Sequence, residues 1–377
     1  MGIKLIKFID KVLGTPLCII LSLFNIIKKQ APLKEKTKKI LIIQLWGIGE
    51  TILTIPAIKE LSKRYRLNID ILCTKRNIDV YSGYSFLGKL HVIKLSPFYI
   101  LLFMLKKFRS YDIVIDMEEY LKISSIISFF VGKYMIGYAH SIRSLLYSKK
   151  VKYNDKQHTS MAFFDLIRPL GIDGTVKKLE RLNYSSMEKK IVDLELNRSG
   201  INRRDLIIGI AAGAAESSRS RIWPKERFAE LIQELYNKNP KTKFILVGAD
   251  YEKELNDSII RLVNNVKIAK SIFNFAGKFT LRQSFYLIST CNIFIGNDSG
   301  PMHIAAAMDV KTIGLFGPNL PLRFAPLNSK SASIYKRMLC SPCINVHKGK
   351  VPECIYKGND FQKCMKEIKI KDILNLM

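Results

Sequence analysis

From residue 40 onward, short apolar runs alternate with longer stretches whose apolar positions recur at helical spacing. Residues 40–45 read as a strand buried in a parallel sheet, where both faces are covered and the sequence need not alternate. A loop over 46–50 leads to a helix over about 51–65, a strand at 69–73, a helical run near 98–108 and a strand at 113–116. A second cycle starts with a strand at 206–210 and a loop over 211–221. It continues with a helix at 225–236, a strand at 244–247 and helices at 252–263 and 281–289. The apolar run 293–295, a small-residue helix beyond it and a strand at 312–316 follow. Alternation of this kind predicts doubly wound parallel sheets with ligands at the carboxyl ends of the strands. Two such sheets, joined near residues 185–205, predict two lobes facing a central cleft.

The sharpest local pattern is Gly296-Asn297-Asp298-Ser299-Gly300-Pro301-Met302-His303-Ile304 with three alanines after it. A buried strand turns here into a helix amino terminus. Asp298 and Ser299 are of the type that caps a helix, Gly300 lets a ligand approach the backbone, and Pro301 gives up an amide that is unpaired in any first turn. Free amides and the helix dipole suit an anion, above all a phosphate.

The N-terminal stretch departs from this pattern. Residues 12–27 are almost wholly apolar and lie between Lys4, Lys7 and Lys11 on one side and Lys28 and Lys29 on the other. The run is short for a span, which takes about 20 apolar residues, and Pro16 interrupts it, so it reads as an interfacial helix on an anionic leaflet. No small-x-small cleavage site precedes Lys28, as a signal peptide would require.

Composition adds charge to this picture. The 377 residues carry 61 Lys and Arg against 32 Asp and Glu, a formal net charge of +29, which attracts polyanions: anionic lipid, nucleotide, phosphorylated glycan or nucleic acid. The basic residues are scattered and gather on no motif, which argues against nucleic acid. Hydrophobic content of 48% excludes a disordered or fibrous chain.

Four segments in order carry a resemblance: Gly47-Ile48-Gly49-Glu50-Thr51 through Pro56, the 211–224 loop ending Arg221-Ile222-Trp223-Pro224, Val247-Gly248-Ala249-Asp250-Tyr251-Glu252, and residues 297–307 with 314–318. Together they resemble the heptosyltransferases, family 9 of the glycosyltransferases, over about residues 38–330. The resemblance implies an α/β GT-B fold of two Rossmann-like lobes, with the acceptor on residues 38–190 and the nucleotide-sugar donor on 200–330. A membrane-associating segment over 1–33 and a Cys-rich extension over 331–377 flank them.

It further implies an inverting transfer of heptose from ADP-heptose to a lipopolysaccharide-type or other envelope glycan, by an enzyme peripheral at the cytoplasmic face of the membrane and needing no cofactor. Glu50 stands where the family has an aspartate base, and Gln44 where many relatives carry a basic residue. Arg221 stands for a phosphate-binding lysine, with Ser217 and Ser218 in the adjoining loop, and Glu252 for an acidic residue that holds ribose or base. Asp298, Ser299, Gly300 and His303 complete the implied donor site, His303 lying one turn beyond Ser299. The exchanges at positions 50 and 44 motivate a second reading, a catalytically reduced nucleotide-binding or scaffolding paralogue.

Cys340, Cys343, Cys354 and Cys364 are spaced as free thiols, a structural zinc site or disulfides would all permit. Cys18, Cys73 and Cys291 lie in apolar runs and read as core or interfacial thiols.

Overall fold

The structure is a computed structural model, and it describes residues 10, 12–27, 37–45, 47–202, 204–345, 347, 350 and 354–377, without the side chains of 25–27, 216 and 217. The chain forms two compact units, Met1–Val176 with His347–Gly349, and Lys177–Val346 with Lys350–Met377.

In the first unit, β1 (Ile40–Ile43), β2 (Ile69–Cys73), β3 (Leu87–Val92), β4 (Tyr111–Asp116), β5 (Gly132–Tyr138) and β6 (Lys149–Val151) form one sheet in the order β3-β2-β1-β4-β5-β6. Every pairing is parallel. The apolar run of β1 is buried throughout because β2 and β4 flank it and helices cover it. The helices labelled here are α1 (Gly14–Ile27), α2 (Ile48–Tyr65), α3 (Pro97–Lys106) and α4 (Lys122–Val131). Pro16 does not interrupt α1: the helix starts at Gly14, so Pro16 falls in the first turn, where no amide is needed. Asp10 ties this helix down, its carboxylate accepting from the amides of Lys122 (3.1 Å) and Ile123 (2.8 Å) at the start of α4.

The second unit repeats the plan. Strands β7 (Leu206–Ala211), β8 (Thr242–Leu246), β9 (Ile272–Asn274), β10 (Ile293–Asn297), β11 (Lys311–Phe316) and β12 (Ala332–Tyr335) run in the order β12-β11-β10-β7-β8-β9, again all parallel. Its main helices are α5 (Ser186–Arg198), α6 (Lys225–Lys238), α7 (Lys253–Leu262), α8 (Leu281–Ser289) and α9 (Gly300–Ala307). A capping box at Ser185 and Glu188 starts α5, and a second at Thr280 and Gln283 starts α8. The C-terminal residues complete the core: Cys364, Met365, Ile368 and Ile373 pack with Trp223, Phe228 and Ile232. Trp223 is fully buried, and its indole donates to the Ile368 carbonyl at 3.1 Å.

In each unit the strand order reverses direction at its first strand, next to β4 in one sheet and next to β10 in the other. The loops leaving the carboxyl ends of that pair diverge to opposite faces and leave a crevice, the expected ligand position in an open sheet.

Trp223→Ala empties the largest fully buried side chain among the described residues and removes the indole bond to the tail; about 3–5 kcal/mol of stability is expected to go, read as a lower denaturant midpoint for the second unit.

Candidate active site

In the first unit the crevice is bounded by the loops after β1 and β4. Gly47 lies at φ 63°, a left-handed value that suits glycine, and lets the chain turn at once into α2. The helix therefore begins at Ile48, three residues earlier than the sequence predicts, and Glu50 occupies its first turn instead of the loop before it. Its half-buried carboxylate folds back over Gly47, where any Cβ would collide with it. A carboxylate there also complements the positive end of the helix dipole. Asn77 braces the loop, its amide donating to the Gln44 carbonyl (2.9 Å) and to the Thr51 hydroxyl (3.0 Å). Gln44 itself is buried at 3% exposure.

Beyond β4 lies a set of charges that the sequence reading passes over. Arg143, fully buried, donates to Asp116 (2.6 Å), to the Tyr147 hydroxyl (2.6 Å) and to the Glu118 carbonyl, while Tyr147 donates to Asp116 at 2.6 Å. Burial opposes the guanidinium charge, and the Asp116 carboxylate more than restores it. The network pins the chain so that Glu118 accepts the Leu45 amide at 2.6 Å, joining the loops after β4 and β1. Burial pushes the Glu118 carboxyl up to about 8, with the charges of Asp116 and Glu50 acting in the same sense and the Leu45 amide and Arg143 against it. The sequence signal was present: Asp116, Glu118 and Glu119 are carboxylates clustered at the end of a parallel strand.

The second unit gathers the other candidates. Asn297, the last residue of β10, donates from its amide nitrogen to the carbonyl of Ala212 (2.7 Å) and accepts the Trp223 amide (3.1 Å). One side chain thereby sets the loop after β7 against the start of α9. Arg221 then reaches the Asp298 carboxylate (3.3 Å) and carbonyl (3.2 Å), and Asn319 donates to the same carboxylate at 2.8 Å. Asp298 is thus occupied in holding Arg221 and does not cap α9. Ser299 takes the cap position but makes no side-chain capping bond, and its hydroxyl is buried without a partner among the described residues. The Nε of Arg221 and the hydroxyl of Ser220 are buried in the same condition. Gly300 opens the helix, Ser218 is buried nearby in chain at a non-helical φ of −140°, and His303 is buried at 3% exposure on α9. Ser217 lies outside the described side chains.

Glu252 crosses from the other side. It accepts the Ala249 amide at 2.7 Å and lies over Gly213 and Gly248, at the ends of β7 and β8, both of which lack the Cβ that would strike it. Burial pushes its carboxyl above the usual range, with the Ala249 bond opposing. The loops after β7, β8 and β10 therefore bring Ser218, Arg221, Glu252, Asp298, Ser299 and Gly300 to one end of the sheet, as the strand order requires.

The C-terminal Cys340, Cys343, Cys354 and Cys364 line one small cavity with Ser220 and Pro318. All seven cysteines are free thiols, and Cys18, Cys73 and Cys291 are buried. Among the described residues no group of three or more His, Cys, Asp or Glu side chains is arranged to hold a metal ion.

Two parallel sheets of Rossmann-like order, each with its polar loops at the strand ends, define a GT-B fold. The sequence pattern of glycosyltransferase family 9 (heptosyltransferase) matches residues 104–352, more than half of the chain, and the chain belongs to that family. Lipooligosaccharide heptosyltransferase 2 of Campylobacter jejuni is 29% identical over 170 residues, 45% of this chain and 49% of the relative. Lipopolysaccharide heptosyltransferase 2 of Salmonella typhimurium is 33% identical over 154 residues, 41% of this chain and 42% of the relative. The chain thus spans about half the length of these curated relatives, or less. The solved ADP-heptose lps heptosyltransferase II of E. coli shares the fold, with a TM-score of 0.71 over 90% of this chain and 97% of that one at 20% identity.

Glu118 gives a test of the first crevice. Its folded carboxyl stays protonated up to about 8 while the unfolded one ionises near 4.5, so between those values the folded state binds the extra proton and stability falls as pH rises. The melting temperature of the wild type relative to Glu118→Gln is expected to drop across that window and level off above it; a constant difference would mean that Glu118 is ionised in the fold.

Proposed function

We propose that the chain is an inverting glycosyltransferase that moves heptose from ADP-heptose to a lipopolysaccharide-type or other envelope glycan. The observation that carries this reading is the start of α9, where the Ser299 hydroxyl and Arg221 Nε are buried without a partner among the described residues, beside a helix amino terminus. Unpaired buried donors are costly, and a diphosphate would satisfy them. Membership of the family supports the transfer, and the names of the relatives support heptose and the envelope glycan.

In this reading the second unit holds the donor. Arg221 is kept in place by Asp298 and Asn319 and turns its remaining N–H groups to the phosphates. The amides after Ser299 and Gly300 share the charge that grows on the diphosphate as the glycosidic bond breaks. Ser217, Ser218 and His303 complete the contacts, and Glu252 accepts from a ribose hydroxyl or base amine. In the first unit Glu50 takes the proton of the acceptor hydroxyl as that oxygen attacks the anomeric carbon from the face opposite the leaving group, which inverts the centre.

No step of this transfer calls for a metal, and the four C-terminal cysteines are assigned a structural part beside the Arg221 loop, as thiols or around a zinc ion. Metal analysis of the purified protein separates the two. The reading also places the enzyme at the cytoplasmic face of the membrane, with α1 as its anchor; among the described residues no helix is long and apolar enough to cross a bilayer.

Calorimetric titration with ADP, UDP and GDP, and transfer from the matching sugar nucleotides, test the proposal. ADP is expected to bind selectively, Arg221→Ala to weaken it about tenfold or more, and Glu50→Gln to retain ADP binding while losing about 100-fold or more of transfer. Full transfer in Glu50→Gln would remove the base; ADP binding with no turnover in the wild type would favour the catalytically reduced paralogue.

A further inference from the structure

In the first unit two helices lie over α4, and both are apolar on their outer sides. The inner side of α1 is fixed: Cys18 is fully buried with its Sγ 3.7 Å from Ser125 Oγ, and Gly14 meets the Lys122 side chain. Its outer side carries Leu17 (44% exposed), Ile20 (52%) and Phe24 (59%), with Leu13 (55%) just before it, a stripe at helical spacing where a water-facing helix would be polar.

The neighbouring helix α3 repeats this. Ile100 points inward into the same core as Cys18, Ile126 and Ile127, with Phe103 and Met104 packed against it. Phe98 (67%), Leu101 (52%) and Leu105 (66%) face out, and Phe108 (58%) is exposed just beyond the helix. Single exposed leucines need no explanation, whereas two helices packed on the same α4, both with apolar outer sides, mark a contact surface.

Charge selects what covers it. Residues 94–109 contain Lys94, Lys106, Lys107 and Arg109 and no acidic residue, and the run 12–27 is uncharged with lysines on both sides in the sequence. Lys94 lies 5.1 Å over the Tyr99 ring at the start of α3, an aromatic and a cation side by side as at a headgroup boundary. A second copy of this chain packed patch to patch would set lysine against lysine with no carboxylate to pair. An anionic bilayer meets both requirements, taking the apolar side chains below its headgroups and the lysines among them. At 14 residues α1 is about 21 Å long, short of the roughly 30 Å hydrocarbon core, so it lies along the surface.

We propose that α3 is a second membrane-binding element, whose apolar outer side, with lysines at both ends, docks on anionic phospholipid alongside α1. The proposal extends the α1 anchor of the preceding reading and holds whatever sugar is transferred.

Co-sedimentation of the full chain with vesicles of phosphatidylcholine, alone or mixed with phosphatidylglycerol, is the test. The wild type is expected to bind the mixed vesicles more tightly. Phe98→Glu and Leu105→Glu, each with α1 intact, are expected to lower partition about tenfold, and Lys106→Gln with Lys107→Gln to lower it on the anionic vesicles alone. These side chains are exposed, so melting temperature and ADP binding are expected to stay at wild-type values, which separates loss of docking from loss of the donor site. Wild-type partition by both α3 carboxylate variants, with loss confined to Ile20→Glu, would leave α1 as the sole contact. A dimer in sedimentation equilibrium that Leu105→Glu dissolves, without vesicle binding by the wild type, would identify the occupant as a second copy and overturn the proposal.

Discussion

Burial of parallel strands on both faces is the constraint from which the rest follows. A parallel strand has no hairpin to its neighbour, so each connection must cross back over a face as a helix and deliver every loop to one end of the sheet. With strand orders that reverse at β1 and at β7, the two loops beside each reversal part company and leave room for a ligand. The candidate polar residues of both units sit at those loops: Glu50 and Glu118 in the first, Arg221, Asp298 and Ser299 in the second.

Polar groups buried beside the crevices set the loops, and each unit has its own device. In the first, a full charge pair does the work: Arg143 and Asp116 are both shielded from water, and Tyr147, Ser124 and the Glu118 carbonyl fill the remaining bonds. Burying such a pair costs solvation that only a saturated set of hydrogen bonds offsets, and removing one member would strand the other. In the second unit a neutral amide suffices, because Asn297 can donate and accept at once and so ties both ends of the loop after β7, at Ala212 and Trp223, to the end of β10. Among the described residues the Ser299 hydroxyl and the Arg221 Nε are left without partners, Ser299 at the start of α9 and Arg221 on the neighbouring Asp298.

Away from the crevices the same packing logic leaves a different signature. α4 is largely enclosed, so α1 and α3 must be apolar inside, yet they are apolar outside as well. A helix in water has no reason to spend leucine and phenylalanine on its outer side, so that composition answers to something other than the fold.

The strands at 40–43, 69–73, 206–211, 293–297 and 311–316 were legible because a strand covered on both faces is apolar over most of its length, and the turn into α9 because few residue types fit the first turn of a helix. The ordered motifs placed the family for the same reason. Less legible was α4, whose Lys-Ile-Ser-Ser-Ile-Ile-Ser-Phe-Phe-Val is rich in β-branched and aromatic residues; Ser124 and Ser128 return their hydroxyls to the carbonyls of Leu121 and Ser124, and packing beneath α1 and α3 decides for helix. The ionisation of Glu118, the capture of Asp298 by Arg221 and Asn319, and the gathering of the four C-terminal cysteines around one cavity were decided only in three dimensions. Periodicity belongs to contiguous residues and can be read along the chain. Trp223 instead meets Asn297 and Ile368 across 74 and 145 residues, and such partners exist only once the strand order has brought their loops together.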